Sequence, residues 1–305
     1  MILFLARRLF EAIAVLIGIS LVVFVISRLS GDPAALMLPP EASDEDFAQL
    51  RHEMGLDQSL YVQYLTFASK AIHGDFGESI RNFVPATQLV VERLPATLLL
   101  ACGALCIALT IAFPAGIVAG LNRGSIIDRT VMTFCVIGQG VPVFWSSLLL
   151  ILFFSVHLHV LPTSGYGRLE NLIMPASALG IYTAARLSRL VRSGVIEVAS
   201  QDYVRAAHAK GLAVRDVVQN YVLRNALLPI VTVIGLDFAA LLGGAVITET
   251  IFAWPGVGRL TVESITRRDF PVVQASVIML AATYVVINFL VDIIYRFIDP
   301  RIKLR

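Results

Sequence analysis

Six apolar stretches, at residues 9–29, 97–121, 131–156, 172–190, 226–248 and 271–297, restrict this chain more than any other feature. Crossing about 30 Å of hydrocarbon at 1.5 Å per residue takes about 20 residues, and each stretch is close to that length or longer. The chain is 57% hydrophobic and 15% charged, whereas a soluble domain carries about 25% charged residues. Folded in water, such a chain would expose large apolar patches; lipid accepts them, provided every backbone polar group is satisfied within its own helix. The pattern predicts an all-α integral membrane protein with six transmembrane helices. Glu11, Asp237 and Asp292 interrupt the first, fifth and sixth stretches, and Pro114 and Pro142 are expected to kink the second and third.

Arg7 and Arg8 precede the first stretch as in a secretory leader, but the apolar run is too long and no small-residue cleavage site follows it, so it reads as an uncleaved span. Lys and Arg accumulate on the cytoplasmic side of membrane proteins. With both termini inside, fifteen of them fall inside and eight outside, and Arg28 sits at a boundary. The expected organisation is an N-terminal tail and first span (1–30), an extracytoplasmic region (31–96) and a core of five further spans (97–305). Its acidic residues Glu41, Asp44, Glu45 and Asp46 suit short helices on the outer face. The basic residues are distributed as topology requires, so nothing points to nucleic acid. Cys102, Cys106 and Cys135 lie within spans as small apolar residues. Gly55-Leu56-Asp57 and Gly74-Asp75-Phe76-Gly77 read as loop punctuation.

The segment from about 200 to 225, on the inner side, is the most informative. Ser200 or Asp202 can cap a short helix with Tyr203, Ala206 and Ala207 on one face, and Gly211 permits a left-handed stop. A second helix follows, its stripe made of Val214, Val217, Val218, Tyr221 and Val222. Two readings stay open on the residues alone: a knob that a cytosolic partner grips, or an interfacial helix resting on headgroups.

This segment resembles the cytoplasmic coupling loop of ABC importer permeases, whose pattern is Glu-Ala-Ala, three residues, Gly, and later Leu-Pro. Arg205-Ala206-Ala207 and Gly211 keep the spacing, with Arg205 in place of Glu and Leu223-Arg224-Asn225 where Leu-Pro-Asn is usual. Both departures are similar to the dipeptide and oligopeptide branch, which favours Asp-Tyr-Val-Arg-x-Ala-x-Ala-Lys-Gly and Leu-Arg-Asn-Ala-Leu-x-Pro. Gly31-Asp32-Pro33, Gly74-Asp75-Phe76-Gly77-Glu78-Ser79, Glu92-Arg93-Leu94-Pro95-Ala96-Thr97 and Glu249 through Gly258 resemble further motifs of that branch, in the same order.

The resemblance implies the type I ABC importer permease fold in a bacterial inner membrane. Its expected partners are a second permease, two cytoplasmic ATPases and an extracytoplasmic solute-binding protein, and its solute a peptide or similar small molecule. ATP and Mg2+ are expected only in the ATPase chains. Lys70, Lys210 and Lys303 are the sole lysines, and none closes a Gly-x-x-x-x-Gly-Lys phosphate loop. Asp202, Tyr203, Arg205, Ala206, Ala207, Lys210, Gly211 and Arg215 are the residues expected to couple this chain to the ATPase. Asp237, where the family often has an uncharged amide, and Trp254 are the candidate substrate-pathway residues; an unpaired charge at mid-span costs about 2.5 to 3.5 kcal/mol. His157 and His159 make a weak metal candidate. The competing class is an ion-gradient-driven secondary transporter, which also places carboxylates in its spans. No convergent catalytic set marks an enzyme.

Overall fold

The computed structural model describes residues 2–30, 43–53 and 55–298. Gly31-Asp32-Pro33 and Glu41 lie outside the described residues. The described residues form α1 (Ile2–Leu29), α2 (Asp44–Glu53), α3 (Leu60–Ile72), α4 (Ala86–Leu121), α5 (Ile126–Gly140) and α6 (Val143–Leu150, widening to a π-helical turn over Ile151–His157). There follow α7 (Leu169–Ala199), α8 (Asp202–Ala209), α9 (Val214–Asp216, continued by a π-helical turn Val217–Leu223 and Arg224–Ala226), α10 (Leu228–Ile251), α11 (Val257–Thr266) and α12 (Phe270–Ile298).

By length and composition, four helices can cross a membrane: Ala6–Leu29, Ala86–Leu121, Ile230–Ile251 and Phe270–Ile293. A fifth is the pair Ile126–Gly140 and Val143–His157, bent by 100°. The break falls where Val141 is extended and Pro142 starts the next helix, so the kink expected from this proline is a complete interruption. Helix α4, by contrast, runs unbroken past Pro114. The fourth predicted stretch, 172–190, is helical within α7 but does not qualify by composition, since Arg186 and Arg189 lie in it. Helix α7 instead buries thirteen of its 31 residues in protein. The structure thus supports four or five apolar spans together with this helix, which is buried in protein along one side.

The chain divides into two compact units, Met1–Ala96 with Pro255–Val285, and Thr97–Trp254 with Val286–Arg305. In the first, Ser43 and Asp46 cap α2 reciprocally: the Ser43 amide donates to Asp46 Oδ2 at 3.0 Å and the Asp46 amide to Ser43 Oγ at 3.2 Å. The acidic run thus seats at a helix N-terminus, where the backbone dipole favours it. Phe24 of α1 packs on Tyr64 and Phe67 of α3, with ring centroids 5.5 and 5.6 Å apart. The loop at 74–79 is more than punctuation. Gly74 and Gly77 take positive φ, and buried Asp269, just before α12, accepts Ser79 Oγ at 2.5 Å and the Ile80 amide at 3.2 Å. Two segments some 190 residues apart are clasped by one carboxylate.

In the second unit α4 and α7 approach so closely that side chains are excluded. A Cβ on Gly116 would lie 2.6 Å from Val191 Cβ and 2.7 Å from the Ser188 carbonyl, and one on Gly180 would lie 2.7 Å from the Ala104 carbonyl. Gly116→Ala is therefore expected to destabilise by about 1 to 3 kcal/mol. Gly18→Ala, where nothing lies within 4 Å, is expected to be neutral or stabilising; thermal unfolding of the two variants in detergent compares them.

Candidate functional site

The segment joining α7 to α10 projects polar and apolar side chains outward from a buried base. Val204 and Ala207 of α8 sit in a cluster with Val191, Val195, Val217, Val222, Ala226 and Ile230. Tyr203, 43% exposed, and Ala206 point away from it. The sequence grouped Tyr203, Ala206 and Ala207 on one face. The structure rotates that face, because the pair Val204 and Ala207 seats on the base and takes Ala207 out of reach of a partner. The second stripe is likewise redrawn. Val217 and Val222, five residues apart, are both buried because the helix widens there to π geometry, while Val214 is 67% exposed and Tyr221 also reaches the surface.

Gln201, rather than Ser200 or Asp202, occupies the N-cap position of α8; Ser200 caps the end of α7 and donates to the Glu197 carbonyl. Gly211 takes φ +76° just past the helix end, as the sequence anticipated, and its amide donates to the His208 carbonyl at 2.9 Å. Arg205 and Asp202 form an exposed ion pair at 2.6 Å. Lys210, Arg215 and Asp216 are exposed as well, and between these charged residues along the segment Tyr203, Ala206, Leu212 and Val214 are also exposed. Exposed apolar side chains interspersed with charged ones are the composition of a protein interface.

Beside this segment, Asp128 at the start of α5 holds Arg192 of α7 by two bonds, Nε to Oδ1 at 2.5 Å and Nη2 to Oδ2 at 2.8 Å. The Gly124 amide donates to the same carboxylate at 2.9 Å, and Ser125 caps the helix through the Asp128 amide. Neither residue was singled out from sequence; the only signal was Ser125-x-x-Asp128, a capping-box spacing that says nothing of Arg192.

Asp237 is 4% exposed and bonds Arg186 of α7, Oδ1 to Nη2 at 2.5 Å. Its Oδ2 is buried with no hydrogen-bond partner among the described residues. The half of this pair that reaches solvent is Arg186, 48% exposed. Trp254 is 1% exposed and packs edge-on to Tyr166 at 5.0 Å, so it braces the chain from within. Thr97 donates to Glu249 at 2.7 Å, both fully buried, which joins two of the motifs recognised in the sequence. Phe134, Cys135, Gly138, Tyr182, Ala185 and Ser188 help line an apolar cavity of about 470 Å³. Around His157 and His159, and elsewhere among the described residues, no three metal-ligating groups gather.

Residues 112–304 match the family "binding-protein-dependent transport system inner membrane component", and residues 1–101 match the N-terminal region of such membrane components. The chain belongs to this family of membrane transport subunits. It is 38% identical to the dipeptide transport system permease DppB of Escherichia coli K12 over 98% of both chains. To the oligopeptide transport system permease AppB of Bacillus subtilis it is 39% identical, over 98% of this chain and 99% of the other. Among solved structures, an inward-facing MetNI methionine ABC transporter aligns with a TM-score of 0.57 and 20% identity, covering 70% of this chain and 97% of that one, a likeness of fold.

Asp128→Asn and Arg192→Gln are each expected to lower thermal stability, and a double-mutant cycle between them should return a coupling of about 1 to 2 kcal/mol, since both act through one bidentate contact. Additive losses would show that the two residues act separately.

Proposed function

We propose that this chain is one of two permeases of an ATP-driven importer of peptides in a bacterial inner membrane. What supports this reading most directly is the exposed segment at 202–216, whose apolar and charged side chains stand on a buried base shared with the end of α7. In it Asp202, Tyr203, Arg205, Ala206, Lys210, Gly211 and Arg215 dock with a cytoplasmic ATPase, while Ala207 holds the segment on its base. Two such ATPases bind ATP and Mg2+, and an extracytoplasmic binding protein delivers the solute. Closure of the ATPase pair on ATP pushes the segment, and α7 passes the displacement to α5 through Arg192 and Asp128 and to α10 through Arg186 and Asp237. The spans then open outward, receive solute, and revert after hydrolysis. Both termini lie in the cytoplasm, and residues 31–96 face outward. Asp237 and Trp254 act on the solute pathway indirectly, Asp237 by setting Arg186 and Trp254 by bracing the turn that carries it.

The relatives named for dipeptides and oligopeptides support the peptide reading over an ion-gradient-driven transporter. Affinity purification of the tagged chain from its native host is expected to recover a second permease and ATPase chains; a lone chain transporting solute without ATP would contradict the reading. Gly211→Val forces a side chain into a left-handed conformation at about 1 to 2 kcal/mol, a strain the turn relieves by shifting. No neighbouring atom obstructs the added Cβ, so the expected outcome is a folded importer with a displaced turn that still hydrolyses ATP but transports less solute per ATP. Unchanged coupling would remove Gly211 from the docking surface.

A further inference from the structure

Arg186 and Arg189 stand one turn apart on α7, both exposed in this chain. One N–H of Arg186 meets Asp237, and one N–H of Arg189 meets Gln139. A guanidinium has five donors, so most of those on both residues have no partner among the described residues. Two cations and one carboxylate leave a net charge of +1, with Gln139 neutral. Their depth is set by their helices: Asp237 lies seven residues inside the Ile230–Ile251 span, about 10 Å from its end. Charged side chains at such depth face protein or a watery cavity, not lipid. Gln139 also sits one residue before the end of α5, next to the Val141-Pro142 break. Backbone interrupted at membrane depth is tolerated where it is enclosed by protein or lines a water-filled space.

We propose that Arg186 and Arg189 form a carboxylate-binding station on the solute pathway, taking the C-terminal carboxylate of a peptide. The station rests on the peptide-importer reading and adds to it the group that is recognised. A carboxylate accepts two parallel N–H bonds from a guanidinium and brings the cluster to neutrality. Asp237 is a positioning residue: its buried oxygen cannot meet solute, and its other oxygen fixes the Arg186 fork. The apolar cavity adjoins the station: its lining includes Gly138, Ala185 and Ser188, the residues that immediately precede Gln139, Arg186 and Arg189. It suits an apolar side chain near the peptide's C-terminus.

The test uses the complete importer purified through this chain and reconstituted in liposomes, with neither binding protein nor nucleotide. Equilibrium dialysis measures binding of radiolabelled alanyl-phenylalanine and of its C-terminal amide. The native importer is expected to prefer the free carboxylate by about tenfold or more, the range of a charge-assisted hydrogen bond. The double variant Arg186→Gln with Arg189→Gln should bring the two ligands to within about twofold of each other, since both guanidinium forks are gone. Because that change strands the buried Asp237 carboxylate, adding Asp237→Asn, which leaves the cluster neutral, keeps the test valid if the double variant fails to fold. A preference retained in the double variant, or absent from the native importer, overturns the station. Loss of the second permease from the purified double variant also overturns it, by assigning these arginines to the interface between permeases. ATP-driven uptake of alanyl-phenylalanine, measured in parallel with the binding protein present, separates the two levels. Uptake without a carboxylate preference in the dialysis removes the station alone, whereas no uptake removes the peptide reading and the station with it.

Discussion

Arg186, Arg189 and Arg192 recur every third residue along α7, and each is held by a different side chain: Asp237 of α10, Gln139 near the end of α5, and Asp128 at its beginning. A guanidinium cannot shed its charge at neutral pH and is costly to expose to hydrocarbon. The helix that carries three of them must therefore be surrounded by protein or water along that side. Its other faces consist largely of small and branched residues pressed on α4, where Gly116 and Gly120 admit Val191 and Val195. With little hydrophobic drive between helices in lipid, such close backbone approach supplies the packing that holds the bundle. Helix α7 thus joins the polar and the tightly packed parts of the second unit, and its end carries the exposed segment at 202–216.

That arrangement gives the coupling proposal its physical form. The exposed segment with Tyr203, Ala206, Leu212 and Val214 stands on a base that includes Val191 and Val195 of α7. Displacement of the segment acts on a rigid helix, not on a loose loop. The two ion pairs on that helix then connect it to α5 and α10, which are the elements bearing the helix break and the candidate pathway carboxylate. In the first unit the Ser79 and Asp269 clasp plays a comparable part, tying the 74–79 loop to the start of α12.

Much of this was legible in the sequence, because lipid imposes long apolar runs and the runs at 9–29, 97–121, 226–248 and 271–297 could hardly be anything else. The left-handed Gly211 was also legible, since a glycine closing a short helix has one common use. Other features depended on three-dimensional partners. The run at 172–190 looked like a lipid-facing span because its small residues are apolar, yet they pack on glycines of α4, and its arginines were attributed to topology instead of to pairing. The stripe of α9 differs because a π turn changes the periodicity on which it is counted, and the face of α8 because Val204 and Ala207 together seat on the base. Asp237 was conspicuous as a charge in a span. Arg186, Asp128 and Asp269 were not, since nothing in a linear chain announces which arginine or serine a carboxylate will meet.

The central claim is that the surface bearing Tyr203 and Ala206 docks with an ATPase. The most direct measurement is site-specific cross-linking of an Ala206→Cys variant, with the native cysteines replaced, in membranes containing the whole importer. Ala206 is exposed and stands outside the buried cluster that seats α8. The account predicts a cross-link to the ATPase chain whose yield changes when ATP is added. A cross-link only to lipid-directed probes, insensitive to nucleotide, would contradict it and identify the segment as an interfacial helix.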